Sequence, residues 1–74
     1  MNRFPSLSPA KLLKALKRAG FIEEAQKGSH VALVHLESNC RTTIPMHSKD
    51  IKRGLLKAII KQAGLTESEL RKFL

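Results

Sequence analysis

The sequence predicts an α+β domain: a three-stranded antiparallel sheet with helices packed on one face, in the order α-β-β-β-α-α. Two observations lead there. Two stretches, one closing at Gly20 and one at Gly64, repeat apolar side chains at helical period. Between them lie three short apolar and β-branched runs separated by turn-forming residues. At 74 residues the chain has room for one small core, so residues 1–74 are read as a single domain.

The first helix opens at Ser8-Pro9, where serine can cap free N–H groups and proline tolerates the first helical position. Leu12, Leu13, Leu16 and Ala19 form its apolar stripe, Lys11, Lys14, Lys17 and Arg18 its basic side, and Gly20 stops it. Phe21 to Ala25 reads as a strand, and Gln26-Lys27-Gly28-Ser29 as a hairpin turn. His30 to Leu36 is the middle strand, Glu37-Ser38-Asn39-Cys40 a second turn, and Arg41 to Ile44 the third strand, ended by Pro45. Ser48 then caps a second helix with Asp50 in its first turn. Ile51, Leu55, Ala58, Ile59 and Gln62 lie along one side of it, widened by Leu56 and Ile60. Gly54 inside this helix costs about 0.5–1 kcal/mol relative to alanine, which points to close packing there. Thr66-Glu67-Ser68-Glu69 is a capping box for a last short helix carrying Leu70, Phe73 and Leu74.

Charge is distributed unevenly over these elements. Lys and Arg number 14 against 6 Asp and Glu, a net charge of +8 with histidines neutral. The first helical region carries Arg3, Lys11, Lys14, Lys17 and Arg18 with no acid. Residues 41–64, the third strand and the second helix, carry Arg41, Lys49, Lys52, Arg53, Lys57 and Lys61 against Asp50 alone. This is the electrostatic footprint of a phosphate-binding protein, and equally that of a solvated basic face. A single cysteine, Cys40, excludes an internal disulfide and a cysteine-based zinc site and fits a reducing, cytoplasmic setting. The longest apolar runs are too short for a transmembrane span, so no membrane partner is expected.

With no Trp or Tyr and three Phe, the chain is poorly equipped to stack single-stranded bases on aromatic platforms. Phe21 and Phe73 read as core. The groups that titrate near neutral pH are His30, His35 and His47. Strand alternation puts His30 on the face of Ala32, Val34 and Leu36, and His35 on the opposite face with Val31 and Leu33. Asp50 is the only aspartate, so neither a metal site nor a cofactor is expected. His30 follows the Gly28-Ser29 turn at the start of the rigid central strand, where a positioned catalytic group is useful. His47 follows Pro45-Met46 at the start of the second helix. Both positions also suit ordinary structural histidines.

Gly28-Ser29-His30, Thr43-Ile44-Pro45-Met46-His47, Gly54-Leu55-Leu56-Lys57-Ala58-Ile59 and Gln62-Ala63-Gly64-Leu65-Thr66 follow one another in order. With the opening pattern from Leu13 to Ala19-Gly20-Phe21, they resemble the HicA toxins of bacterial and archaeal toxin–antitoxin pairs. Leu55, where many relatives have Thr, and Ser48-Lys49, where they often have glycine, depart from the pattern. The resemblance implies a fold like a double-stranded-RNA-binding domain, a type II system, a ribonuclease that cuts mRNA, and a HicB antitoxin that covers its active site. It also implies that His30 is the catalytic histidine. RNA brings its own nucleophile, the 2′-OH, so an imidazole acting as general acid or base suffices without a metal. Gly28, Ser29, His47 and Lys27 are the candidates to support it, and Lys11, Lys14, Lys49, Lys52 and Arg53 to bind phosphates. The alternative is a non-catalytic double-stranded-RNA-binding module; a DNA-binding accessory protein lacks a recognition-helix signature.

Overall fold

The computed structural model describes residues 7–47 and 49–74. Among them the chain forms α1 (Pro9–Arg18), β1 (Phe21–Lys27), β2 (His30–His35), β3 (Cys40–Pro45), α2 (Arg53–Gln62) and α3 (Glu67–Arg71). The strands make one antiparallel sheet in the order β1-β2-β3. The expected α+β architecture is therefore the observed one. Arg3 and Ser48, the expected cap of the second helix, lie outside the described residues.

Helix α1 follows its sequence signals. The Ser8 side chain accepts from the Lys11 N–H at 3.3 Å, Pro9 opens the helix, and Leu12, Ala15 and Leu16 are buried. Gly20 leaves it at φ +107°, and a Cβ there would stand 2.8 Å from Nε2 of His35. Only glycine combines that backbone with that approach. The helix layer and one sheet face enclose the core, with Leu12, Leu16, Leu33, Ile44, Ile59 and Leu70 almost fully excluded from solvent. Thr42, also buried, donates its hydroxyl to the Gln62 side chain at 3.0 Å and so ties β3 to α2.

Several boundaries differ from expectation. β1 runs on through Gln26 and Lys27, leaving a two-residue turn in which Gly28 sits at φ +58°. Ser29 has no positive φ, so glycine occupies the first turn position, as a type II′ hairpin demands. Cys40 is the first residue of β3 rather than a turn residue, because Asn39 at φ +60° completes the reversal before it. Helix α2 begins at Arg53 with Lys52 as an N-cap that makes no side-chain bond. Asp50 is thus not in its first turn.

Ile51 is buried by an antiparallel bridge to Leu7, its N–H donating to the Leu7 carbonyl at 2.7 Å. The later start rotates the buried stripe of α2 onto Leu56, Ile59 and Ile60, and leaves Leu55 and Ala58 exposed. Gly54 is exposed in the first turn, and a Cβ there would meet nothing within 4 Å. Close packing does not explain this glycine. The Thr66/Glu69 capping box forms in both directions, Leu70 is buried and Phe73 packs against the core, while Phe73 and Leu74 lie beyond α3. No helix among the described residues is long and apolar enough to cross a membrane.

Candidate active site on the open sheet face

The helices cover one face of the sheet. Phe21, Val31, Leu33 and Ile44 point into the core from that side. Alternation sends Ala32 and Val34 of β2, and Arg41 and Thr43 of β3, to the other face. His30 is on this open face and exposed, whereas His35 lies on the helix side. There its ring meets Phe21 edge-on, centroids 5.2 Å apart. The expected opposition of the two histidines therefore holds, and His35 belongs to the packing.

A β-bulge decides what stands opposite His30. β1 and β2 pair regularly from Phe21 with His35 to Glu23 with Leu33, but the next pair is Ala25 with Ala32. Glu24 is the extra residue. Without it the small Ala25 would not face Ala32, since an uninterrupted register puts Glu24 there. With it, Ala25 faces Ala32, and Lys27 faces His30 across the hairpin. Bulges recur beside active sites because they re-aim side chains in this way.

The bulged Glu24 side chain reaches across the central strand to Arg41. Arg41 Nε donates to Oε1 at 3.0 Å and to Oε2 at 3.3 Å, and Nη2 donates to Oε2 at 3.2 Å. Asn39 accepts from Nη1 of the same guanidinium at 3.0 Å. The pair forms a bar over the open face, which accounts for Val34 beneath it being 3% exposed although it lies outside the main core.

The hydrogen bonds from Arg41, and secondarily its charge, hold the Glu24 carboxyl below its ordinary 4.5. A depressed carboxyl contributes stability above its unfolded-state value and loses it as pH falls through the folded-state value. Urea midpoints measured from pH 7 down to pH 3 should therefore fall less steeply below about 4.5 in Glu24→Gln than in the parent. Parallel curves would mean that the bar contributes nothing in solution.

The second histidine arrives from the other end of β3. The Met46 N–H donates to the Ser29 carbonyl at 2.6 Å, clamping the residue after β3 to the hairpin turn. His47 follows, exposed, with Nδ1 2.8 Å from Ser29 Oγ and its ring centroid 6.0 Å from that of His30. It stands in the turn after β3, well before α2, and not at the helix start that the sequence suggested. A serine hydroxyl both donates and accepts, so this partner can serve the ring in either protonation state. In both states Nε2 is left available.

Topology gathers the basic candidates at the same end of the sheet. The hairpin turn and the end of β3 lie there, and the connection from β3 leads into α2. The bridge between Leu7 and Ile51 sets the start of α1 beside the start of α2. Lys11 is in the first turn of α1, Lys49 in the connection, and Lys52 and Arg53 at the start of α2, all exposed. Lys14 is exposed one turn further along α1. Neither helix carries an acid in its first turn, so no carboxylate within either helix offsets its positive dipole end. Among the described residues no three His, Cys, Asp or Glu side chains gather as a metal site requires.

Sequence reasoning missed Ala25, Ala32 and Thr43, which with Lys27 and His30 line an open depression of about 250 Å³. The signal for them is the strand register, which the bulge conceals. No curated protein matches the chain. Residues 9–65 match the family model of the HicA toxin of bacterial toxin-antitoxin systems. That span covers every element of the fold except α3, together with the hairpin turn, both exposed histidines and the basic connection. The chain belongs to the HicA toxin family, and its place is that of the toxin in a pair completed by a cognate antitoxin.

Proposed function

We propose that this toxin is a metal-independent endoribonuclease acting on mRNA, with His30 and His47 as its proton-transfer pair. The observation that carries this reading is the approach of two exposed imidazoles, centroids 6.0 Å apart, at the basic end of the sheet. RNA supplies the nucleophile. His30 takes the proton from a 2′-OH, O2′ bonds to phosphorus, and the bond from phosphorus to O5′ breaks. His47, protonated, gives its Nε2 proton to the departing O5′. The products are a 2′,3′-cyclic phosphate and a free 5′-hydroxyl, so atoms and charges balance without water or metal.

Each side chain has a physical reason for its part. A general acid or base at this position typically contributes ~10²–10⁴-fold. Lys27, directly across the hairpin from His30, offers a cation to the charge that develops on the phosphorane. The Gly28-Ser29 turn bears no bulky side chain, and Gly28 has open space around it, so a phosphate can approach the backbone N–H groups. Ser29 keeps His47 oriented through both protonation states. Lys11, Lys14, Lys49, Lys52 and Arg53 hold flanking phosphates. A HicB-type antitoxin neutralises the toxin by covering this end of the sheet. The alternative, a double-stranded-RNA-binding module without catalysis, has no use for a serine-held imidazole beside a second one.

The test is cleavage of end-labelled mRNA by the full chain in EDTA. Cleavage should persist, give cyclic phosphate ends, and stop when the cognate antitoxin is added. Binding without cleavage would favour the non-catalytic module, and activity restored only by a divalent cation would overturn the metal-free scheme.

A further inference from the structure

The depression beside His30 is not used by the proton transfers, and its construction points to a ligand. Resting on the nuclease reading above, we infer that it is a nucleobase subsite, holding the base of a nucleotide that flanks the scissile phosphate.

Its floor is the cross-strand row Ala25, Ala32 and Thr43. Two methyl groups and a threonine on the surface of a sheet make a nearly flat, low platform. The neighbouring row toward the turn is Lys27, His30 and Pro45, which stands higher and carries the reactive group. In the row beyond the floor, Arg41 stands opposite Val34 and holds Glu24 across the sheet. The result is a shelf one strand-row wide, open to solvent, between the row of His30 and the row of the Glu24–Arg41 pair.

Four properties of the shelf select the occupant. Its volume, about 250 Å³, lies below the range of pockets that enclose drug-sized ligands, so it takes one ring system and not an oligonucleotide. Its flat apolar floor suits the face of a planar ring. The Thr43 hydroxyl, a donor and an acceptor, lies at the rim where a base edge would be read. Lys27 and His30 bound it on the side where the attached phosphate must sit.

The bulge is what makes the shelf. An unbulged β1 would set the Glu24 carboxylate opposite Ala32, filling the space and repelling a polyanion. The inserted residue instead brings Ala25 to the floor and engages the carboxylate with Arg41. RNA-binding sheets commonly stack bases on aromatic side chains. This shelf has none and offers a recessed aliphatic floor in their place.

The experiment titrates the full chain with the four 5′-mononucleotides, ribose 5-phosphate and inorganic phosphate, following backbone amide NMR signals, alongside RNA cleavage by the same protein. Nucleotides should move Ala25, Ala32 and Thr43. Ribose 5-phosphate and inorganic phosphate should move only signals around Lys27, Gly28 and His30. Ala32→Leu, which adds bulk to an open face and leaves the core untouched, should weaken nucleotide binding at least tenfold and leave ribose 5-phosphate binding unchanged. Thr43→Val should alter the ranking of the four bases and the bases found beside cleavage sites.

If nucleotides and ribose 5-phosphate move the same signals with the same affinity, or if Ala32→Leu binds nucleotides as the parent does, the subsite is wrong. Retained RNA cleavage in that case leaves the nuclease reading intact. Base-dependent binding by a chain that cleaves no RNA supports the shelf and overturns the catalytic reading.

Discussion

His30→Ala should lower the rate of RNA cleavage by ~10²–10⁴-fold, the range typical of a lost general acid or base, while leaving the melting temperature unchanged. The second half of that expectation follows from position. His30 is exposed on the open face and contributes to neither the core nor the clamp between Met46 and Ser29. RNA binding should survive, because Lys11, Lys49, Lys52, Arg53 and both helix starts are intact in the variant. The pH–rate profile separates the two imidazoles. The parent should give a bell, with the acid limb reporting the deprotonated base and the alkaline limb the protonated acid. His47→Ala should lose the alkaline limb and keep the acid one. A His30→Ala protein with parental turnover would remove the mechanism altogether.

Leu33→Ala should unfold most of the protein at 37 °C. Leu33 sits in the middle of the central strand, 0% exposed, at the heart of the single core. Truncating a buried leucine costs about 2–5 kcal/mol, from lost transfer energy plus the cavity left behind. A domain below roughly 70–80 residues rarely has more than about 3–5 kcal/mol to lose. No disulfide offsets the loss, since Cys40 is free. Urea denaturation followed by circular dichroism measures the shift. A midpoint within a few tenths of a molar of the parent would show that this core tolerates a void in its central layer. Activity falls in both variants, but only here together with the fold.

Much of this architecture was legible because local chemistry coincides with global structure. Ser8, Pro9 and Gly20 bracket α1, Thr66 and Glu69 cap α3, and Gly28 turns the hairpin; each signal acts over a few residues. The placement of His30 also needed only strand alternation counted from a turn. What escaped depends on distant partners. Ile51 has helical spacing from Leu55, yet it is captured by Leu7, a residue far away in sequence. Once Ile51 is held in extended backbone, α2 starts later and its buried stripe rotates away from Leu55 and Ala58. The pairing of His47 with Ser29 needed the length of β3 and the clamp at Met46. The bulge was hidden because Glu23 and Glu24 are chemically identical, and nothing local says which one is extra.

The extra residue makes β1 a strand read in two frames. Side chains alternate with period two, so one insertion inverts parity for everything after it. Upstream of Glu24 the frame answers to the core, with Phe21 turned inward; downstream it answers to the site, with Ala25 and Lys27 turned outward. A deletion then has a meaning that depends on where it falls. Losing Glu24 itself restores an unbroken ladder and leaves Ala25 and Lys27 where they were. Losing Gln26 is absorbed by straightening the strand, which lays a carboxylate on the floor beside His30. Two deletions a couple of residues apart, equal in length, thus both keep Lys27 across from His30, but only the second sets a carboxylate in the row beside it.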